Sequence, residues 1–324
     1  MERSKTLISQ ILPVLIENIE RTGDPLGLKS IYWTQWAEDL ALPKEGEVFL
    51  FTSRMYQMLP FIAQTTDLLA LSKPLMSIKG LGKVMNLGNR LFGEKIIRLK
   101  AEGATQIRLK GEKALKGIAA ALRAVGLDVG YLYEEEPYSG ILLHDLGLHT
   151  HLATHIQKVY NLFKRHYVKQ VVTVDPHTTF ILREIYPKFI ENYDIQVKHY
   201  LEILSERSDL LKRSSTDPPQ REFVIHDPCV MTRNLGMVAE LRKVSKALDI
   251  PLLEPENTKL NTACCGGPVE YAFDKLTDDV ATIRIKELAS IGKDIIVNCP
   301  ICLVNLWKYE QEWGIRIWDM GELL

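Results

Sequence analysis

Apolar side chains recur along this chain in two rhythms. Short runs rich in Val, Ile, Leu and aromatic residues, VFLFT (48–52), DVGYLY (128–133), KQVVTV (169–174) and IQVKHY (195–200), stand between longer stretches with helical apolar spacing. A second series repeats this order in EFVIHD (222–227), PLLEP (251–255), DIIVN (294–298) and IRIWDM (315–320). Runs of this kind predict strands, and strands separated by helices predict parallel sheets with right-handed crossovers. Ahead of both series, ISQILPVLIENI has helical spacing, Thr22-Gly23-Asp24-Pro25 is a turn, and TQWAEDLAL predicts a second short helix. The expected fold is α/β, with a helical N-terminal arm over 1–43 and two tandem domains, each a small parallel sheet flanked by helices.

The polar segment KRSSTDPPQRE (212–222) places the boundary, so the expected domains are 44–215 and 216–324. The two series look like copies of one unit. VVTVDPHTTFIL (171–182) aligns with IIVNCPICLVNL (295–306), setting Asp175 and Thr178 where Cys299 and Cys302 stand, and DIQVKHYLEIL (194–204) aligns with GIRIWDMGELL (314–324). PYSG (137–140) falls over ACCG (263–266) with nearly equal downstream spacing, which marks an internal duplication.

At 324 residues and 46% apolar composition the chain can build two cores. Its 40 basic and 41 acidic side chains exclude a general attraction to nucleic acid or to an anionic membrane. Residues 73–116 are the local exception, with eleven Lys or Arg against three Glu among interleaved apolar residues. Beside the reading as a solvated helical face, they offer a dock for an acidic carrier protein or partner subunit, or a membrane surface. With no run of about 18 apolar residues and an acidic, amphipathic N-terminus, the expected location is cytoplasmic, with membrane association only through partners.

All five cysteines follow residue 228, in the pattern C-x34-C-C-G-x32-C-x2-C. An odd number, grouped late in a long chain, is not a disulfide framework. Cys229 ends one predicted strand, Cys264 and Cys265 sit in a glycine loop, and Cys299 and Cys302 follow another strand, so all three groups should gather at the carboxyl edge of a parallel sheet. Helices opening at 230, 268 and 301 would favour thiolates there. Crowded thiolates repel and call for a cation. Zinc takes four ligands and would leave one cysteine over, whereas an iron–sulfur cluster gives each sulfur of the adjacent pair its own target. Gly266 and Gly267 would let the backbone approach such a cluster without a Cβ in the way.

HDPC, CCGG and CPIC together resemble the cysteine-rich CCG domain of the heterodisulfide reductase B/D-like family. The same domain occurs in the C-type component of glycerol-3-phosphate dehydrogenase, in lactate utilisation proteins and in one component of an unusual succinate dehydrogenase. The resemblance covers about residues 16–324, and IERTGDPLGL with WAEDL (18–40) is similar to the segment that joins a ferredoxin domain to the first copy in D-type members. It implies one noncubane 4Fe-4S cluster on Cys229, Cys264, Cys265, Cys299 and Cys302, with zinc as the alternative. It also implies a ferredoxin-like iron–sulfur subunit as partner, since no ferredoxin domain stands in this sequence. The function implied is that of an oxidoreductase subunit moving electrons between partner clusters and a thiol/disulfide substrate, either a small molecule or a lipoyl group. The alternative is a non-catalytic relay or scaffold subunit beside a two-motif paralogue.

The first copy departs from the family pattern: Ser53 takes the place of the first cysteine, Tyr138 and Ser139 that of the CC pair, and Asp175 and Thr178 that of the CxxC. No cluster is expected there, which leaves one cluster to take a single sulfur or to relay electrons. His226 is expected either to cap its strand and orient the loop or to tune the cluster through a hydrogen bond. Asp175 and His177 are expected to form a polar wall, to be vestiges, or to serve as acid/base groups for thiols.

Overall fold

The structure, a computed structural model, describes residues 2–63, 104–211, 221–268 and 270–324. Two parallel sheets form, as the alternating pattern predicts. In the first, β1 (Val48–Phe51), β2 (Gln170–Thr173) and β3 (Gln196–His199) lie in that order, with Leu50 opposite Val172 and Val172 opposite Lys198. In the second the order is β5-β4-β6-β7, from β4 (Phe223–Ile225), β5 (Leu252–Leu253), β6 (Asp294–Val297) and β7 (Arg316–Asp319). The central strands β2 and β6 are apolar on both faces because helices cover both: Val171, Val172, Ile295, Ile296 and Val297 are fully buried.

The principal helices are α1 (Glu2–Thr22), α2 (Thr105–Ala124), α3 (His149–Arg165), α4 (Pro176–Phe180), α5 (Tyr200–Glu206), α6 (Ala239–Ala247), α7 (Glu270–Ile291) and α8 (Pro300–Trp307). On α3, Leu152, His155, Ile156, Val159, Leu162 and Phe163 make one buried stripe at helical spacing. The short helix expected over TQWAEDLAL is instead two 3-10 turns, Ser30–Trp33 and Gln35–Ala37. Three residues per turn stack i over i+3, which turns the indoles of Trp33 and Trp36 to the same buried side, against Phe61 and Tyr131. The arm is pinned further by Asp24, whose carboxylate accepts from Arg54 at 3.2 Å.

The duplication is visible in the topology. β1, β2 and β3 correspond to β4, β6 and β7, and both terminal helical segments open with a capping box, His199 with Glu202 and Asp319 with Glu322. The strand expected at DVGYLY is reduced to one bridge, Phe49 to Gly130, where the second copy has β5. Gly130 lies against the Phe49 ring, so that a Cβ there would sit 2.8 Å from Cε1. The next residue, Tyr131, donates its N–H to Pro43 of the arm at 2.8 Å rather than to β1.

The copies exchange covers. The last helical segment of the second copy (Met320–Leu323) packs on α2 of the first, and α5, which ends the first copy, packs on α6 of the second. Backbones touch in the first of these contacts: a Cβ on Gly321 would lie 2.6 Å from Ala114 O, and one on Gly117 would run into Gly321 O. The basic stretch 73–116 lies outside the described residues up to 103. Its described end is occupied internally, Lys110 donating to Ile317 O at 2.6 Å and lying with Lys113 over the Trp318 ring. Of the boundary segment 212–222 only the last two residues are described.

Candidate metal centre

The Cys229 loop leaves β4 through His226, whose N–H donates to Ile296 O at 2.9 Å and so prolongs the β4–β6 ladder by one bond. Asp227 then turns inward and gathers a distant loop. Its carboxylate accepts from both Nη atoms of Arg242 (3.0 and 2.8 Å), from Thr258 Oγ1 (2.9 Å) and from the Lys259 N–H (2.7 Å), and its carbonyl accepts from Thr262 Oγ1 at 2.8 Å. Burial alone would raise this carboxyl, but the Arg242 contact and the other donors outweigh it and hold Asp227 below the ordinary carboxylate range. Arg233 adds a second tie, donating to Leu260 O and to Thr262 O. The residues leading into the adjacent cysteines are thus anchored to the loop that carries Cys229.

Within that loop the Gly266 N–H turns back onto Cys264 Sγ at 3.3 Å, and Asn305 of α8 holds Cys265 O. Gly266 has φ +94°, and a Cβ there would lie 2.7 Å from Thr277 O of α7. The glycine is therefore required by its backbone conformation and by contact with a helix. Cys299 is the N-cap of α8 with Pro300 at its first position, which sets Cys302 one turn on.

These three loops bring all five sulfurs together. Cys229 neighbours Cys264, Cys264 neighbours Cys265, and Cys302 neighbours both Cys265 and Cys299. All five cysteines are free of disulfides; Cys265, Cys299 and Cys302 are buried, while Cys229 and Cys264 are half-buried and form the open edge. The sulfurs do not ionise alike. Donation from Cys229 and Cys265 pushes the Cys264 thiol down. Burial opposes ionisation of Cys299, yet hydrogen bonds from Cys302 and His177 pull it well down. Cys229, Cys265 and Cys302 are pushed up, first because each donates to a neighbouring sulfur.

Two of the cysteines stand at helix N-caps: Cys229 before the short π-type segment Val230–Asn234, and Cys299 before α8, while α7 runs from Glu270. A compact set of soft donors suits a cation or a cluster that takes up their charge. The five cysteines therefore fit the ligand set of an iron–sulfur cluster.

The cysteine-free copy supplies the facing wall. His177, on α4, reaches Cys299. Burial disfavours its charge, but the hydrogen bond to Cys299 and the negative charge of Cys299 and Asp175 raise it to about 9. Ser53, Tyr138, Ser139, Asp175 and Thr178 are all buried. Ser53 Oγ accepts from the Ser139 N–H at 2.8 Å, and Asp175 caps α4 by accepting from the Thr178 N–H at 2.9 Å. Hydrogen bonds between oxygen and nitrogen thus tie these loops where sulfurs meet in the other copy. Tyr56 OH donates across to Asp319 at 2.8 Å, joining the copies beside the site.

Among the residues at the site that the sequence did not mark, Arg284 and Arg242 stand out. Arg284 is fully buried and donates to His226 Nδ1 at 3.0 Å. It stands at helical spacing with buried Ala281, Ile285 and Leu288, so a charge on the apolar stripe of α7 was the available signal. Arg242 carries no comparable mark, because its partner Asp227 lies 15 residues away.

Residues 223–307 match the cysteine-rich CCG domain family. Among curated proteins the chain is similar to the EtfAB:quinone oxidoreductase of Syntrophomonas wolfei, 27% identical over 64% of this chain and 31% of the relative. It is likewise similar to the probable iron-sulfur-binding oxidoreductase FadF of Bacillus subtilis, 25% identical over 66% of this chain and 31% of the relative. A shorter match joins it to the D component of the dihydromethanophenazine:CoB–CoM heterodisulfide reductase of Methanosarcina barkeri, 27% identical over 34% of this chain and 28% of the relative. The chain spans less than a third of the length of these relatives. Among the described residues no helix is long and apolar enough to cross a membrane. Residues 223–307 thus carry a cysteine-rich CCG domain, and the chain as a whole is similar to iron–sulfur oxidoreductases and to a heterodisulfide reductase component.

Proposed function

We propose that this protein is an electron-transferring subunit of a heterodisulfide reductase-like complex, holding one noncubane 4Fe-4S cluster on Cys229, Cys264, Cys265, Cys299 and Cys302 and acting on a thiol/disulfide substrate. The observation that carries this reading is the meeting of five unpaired sulfurs, from three loops, at one sheet edge. Such a cluster, when bound, exchanges single electrons and offers iron to an incoming sulfur. The half-buried Cys229 and Cys264 set the side from which electrons or substrate arrive, and Cys265, Cys299 and Cys302 close the other side against water. Asp227, Arg242 and Arg233 hold the loops in register. His177 gives Cys299 a hydrogen-bond donor from the opposite copy. A ferredoxin-like iron–sulfur subunit is the proposed electron partner.

The oxygen donors at Ser53, Ser139, Asp175 and Thr178 favour a second reading. With no sulfur in the first copy, the chain would relay electrons or brace a complex, using its cluster or a structural zinc, while a two-motif paralogue performs the chemistry. Anaerobic purification with iron, sulfide and zinc analysis and EPR tests both readings. About four iron and four sulfide per chain, with an EPR signal perturbed by added thiol, is expected. Iron with no thiol response would leave the relay, and about one zinc without iron would overturn electron transfer altogether.

A further inference from the structure

His226 stands beside two of the cysteines: one of its ring nitrogens, Cys265 Sγ and Cys302 Sγ lie within 4.8 Å of one another, and all three residues are buried. This is the spacing of a metal site, and histidine is a common ligand. The ring's other partner decides against that role. A ligating histidine ordinarily donates one N–H to a carboxylate or a carbonyl, which leaves the lone pair of the other nitrogen for the metal. Here the outer partner is Arg284, whose Nε–H donates to Nδ1 at 3.0 Å. A guanidinium has only donors and keeps its proton, so Nδ1 must accept. The neutral ring then carries its hydrogen on Nε2.

Arg284 is not free to turn away, because Nη1 donates to Asn257 O at 2.9 Å and to Glu287 at 2.6 Å. Nε2 is fully buried and has no hydrogen-bond partner among the described residues. A buried N–H left without an acceptor is costly, and the nearest soft acceptors are the sulfurs at the Cys265–Cys302 corner.

We propose that His226 is a neutral hydrogen-bond donor to the sulfur of the cluster, held in that tautomer by Arg284, and that it is not a metal ligand. The inference rests on the reading of the five cysteines as cluster ligands. Hydrogen bonds to cluster sulfurs favour the more negative, reduced state and raise the reduction potential. Arg284 is then a positioning residue that acts through His226.

The test uses the anaerobic full-length protein, loaded with iron and sulfide, as wild type, His226→Ala and His226→Gln. Iron content should be equal in all three, pulsed EPR should show no strongly coupled histidine nitrogen, and the midpoint potential should shift negative in His226→Ala and partly return in His226→Gln, whose amide can donate. Iron loss in both variants, a strong nitrogen coupling in the wild type, or an unmoved potential overturns the proposal. Should the variants fold poorly, the wild type still decides. Long-range proton–nitrogen NMR of the metal-free protein should find the His226 proton on Nε2, and a proton on Nδ1 overturns it. A wild type that binds zinc and no iron defeats the cluster reading, and with it the donor role, while the NMR result separately judges the Arg284–His226 arrangement.

Discussion

Asp227 shows how much of the site rests on one side chain that touches no sulfur. It is 2% exposed and binds Arg242, Thr258 and the Lys259 amide at once, so that a loop some thirty residues away lies beside Cys229. Its folded carboxyl titrates below the ordinary 3.8, since Arg242 and the other donors outweigh burial. For an acid with a depressed pKa, stability is present above the unfolded value and is lost as pH falls through the folded one. Denaturant melts of Asp227→Asn should therefore show a loss of about 3 kcal/mol at neutral pH, typical of breaking one side of a buried ion pair. Below pH 3.8 the difference from wild type should shrink, and a constant difference down to about pH 2 would assign the effect to packing. The same variant should take up less iron, because the loop that presents Cys264 and Cys265 loses its tether.

At the scale of elements, the contact between α2 and the C-terminal 3-10 turn depends on the absence of side chains. Any Cβ on Gly117 collides with Gly321 O, a backbone atom that cannot rotate aside. Gly117→Ala should cost about 1–3 kcal/mol in thermal or chemical unfolding, despite alanine's better helix propensity; a stabilised variant would show that the contact gives way. Neither glycine was marked by pattern, and the reason is general. Apolar period and strand composition reveal which face of an element is buried, but not how closely two backbones approach. The two sheets and the duplication were legible because β2 and β6 are apolar on both faces and because Asp175-Pro176 and Cys299-Pro300 begin equivalent helices. The strand at DVGYLY was not, since Tyr131 bonds to Pro43 of the arm. Of the site, the grouping of the cysteines could be read from their spacing along the chain. The Arg284–His226 and His177–Cys299 contacts join residues far apart in sequence and between copies, and no local signal reports such a pairing.

Along the sequence, the excess of basic side chains and the five cysteines occupy different stretches. The sulfurs lie where the copies meet, whereas the excess of Lys and Arg falls in 73–116, of which the described end serves internal contacts with Trp318 and Asp39. If the remainder docks an acidic subunit or an anionic surface, binding of the partner or of acidic vesicles should weaken steeply between low and moderate ionic strength. An affinity indifferent to salt would remove electrostatics from the account.

The trading of terminal helical segments between the copies also fixes where damage is felt. Clipping the chain after Asp319 would strip a lid from α2 in the cysteine-free copy, although the missing residues belong to the other one. The two copies are therefore interlocked rather than merely adjoining, and a lesion that removes no sulfur can still unseat the wall that His177 presents to Cys299.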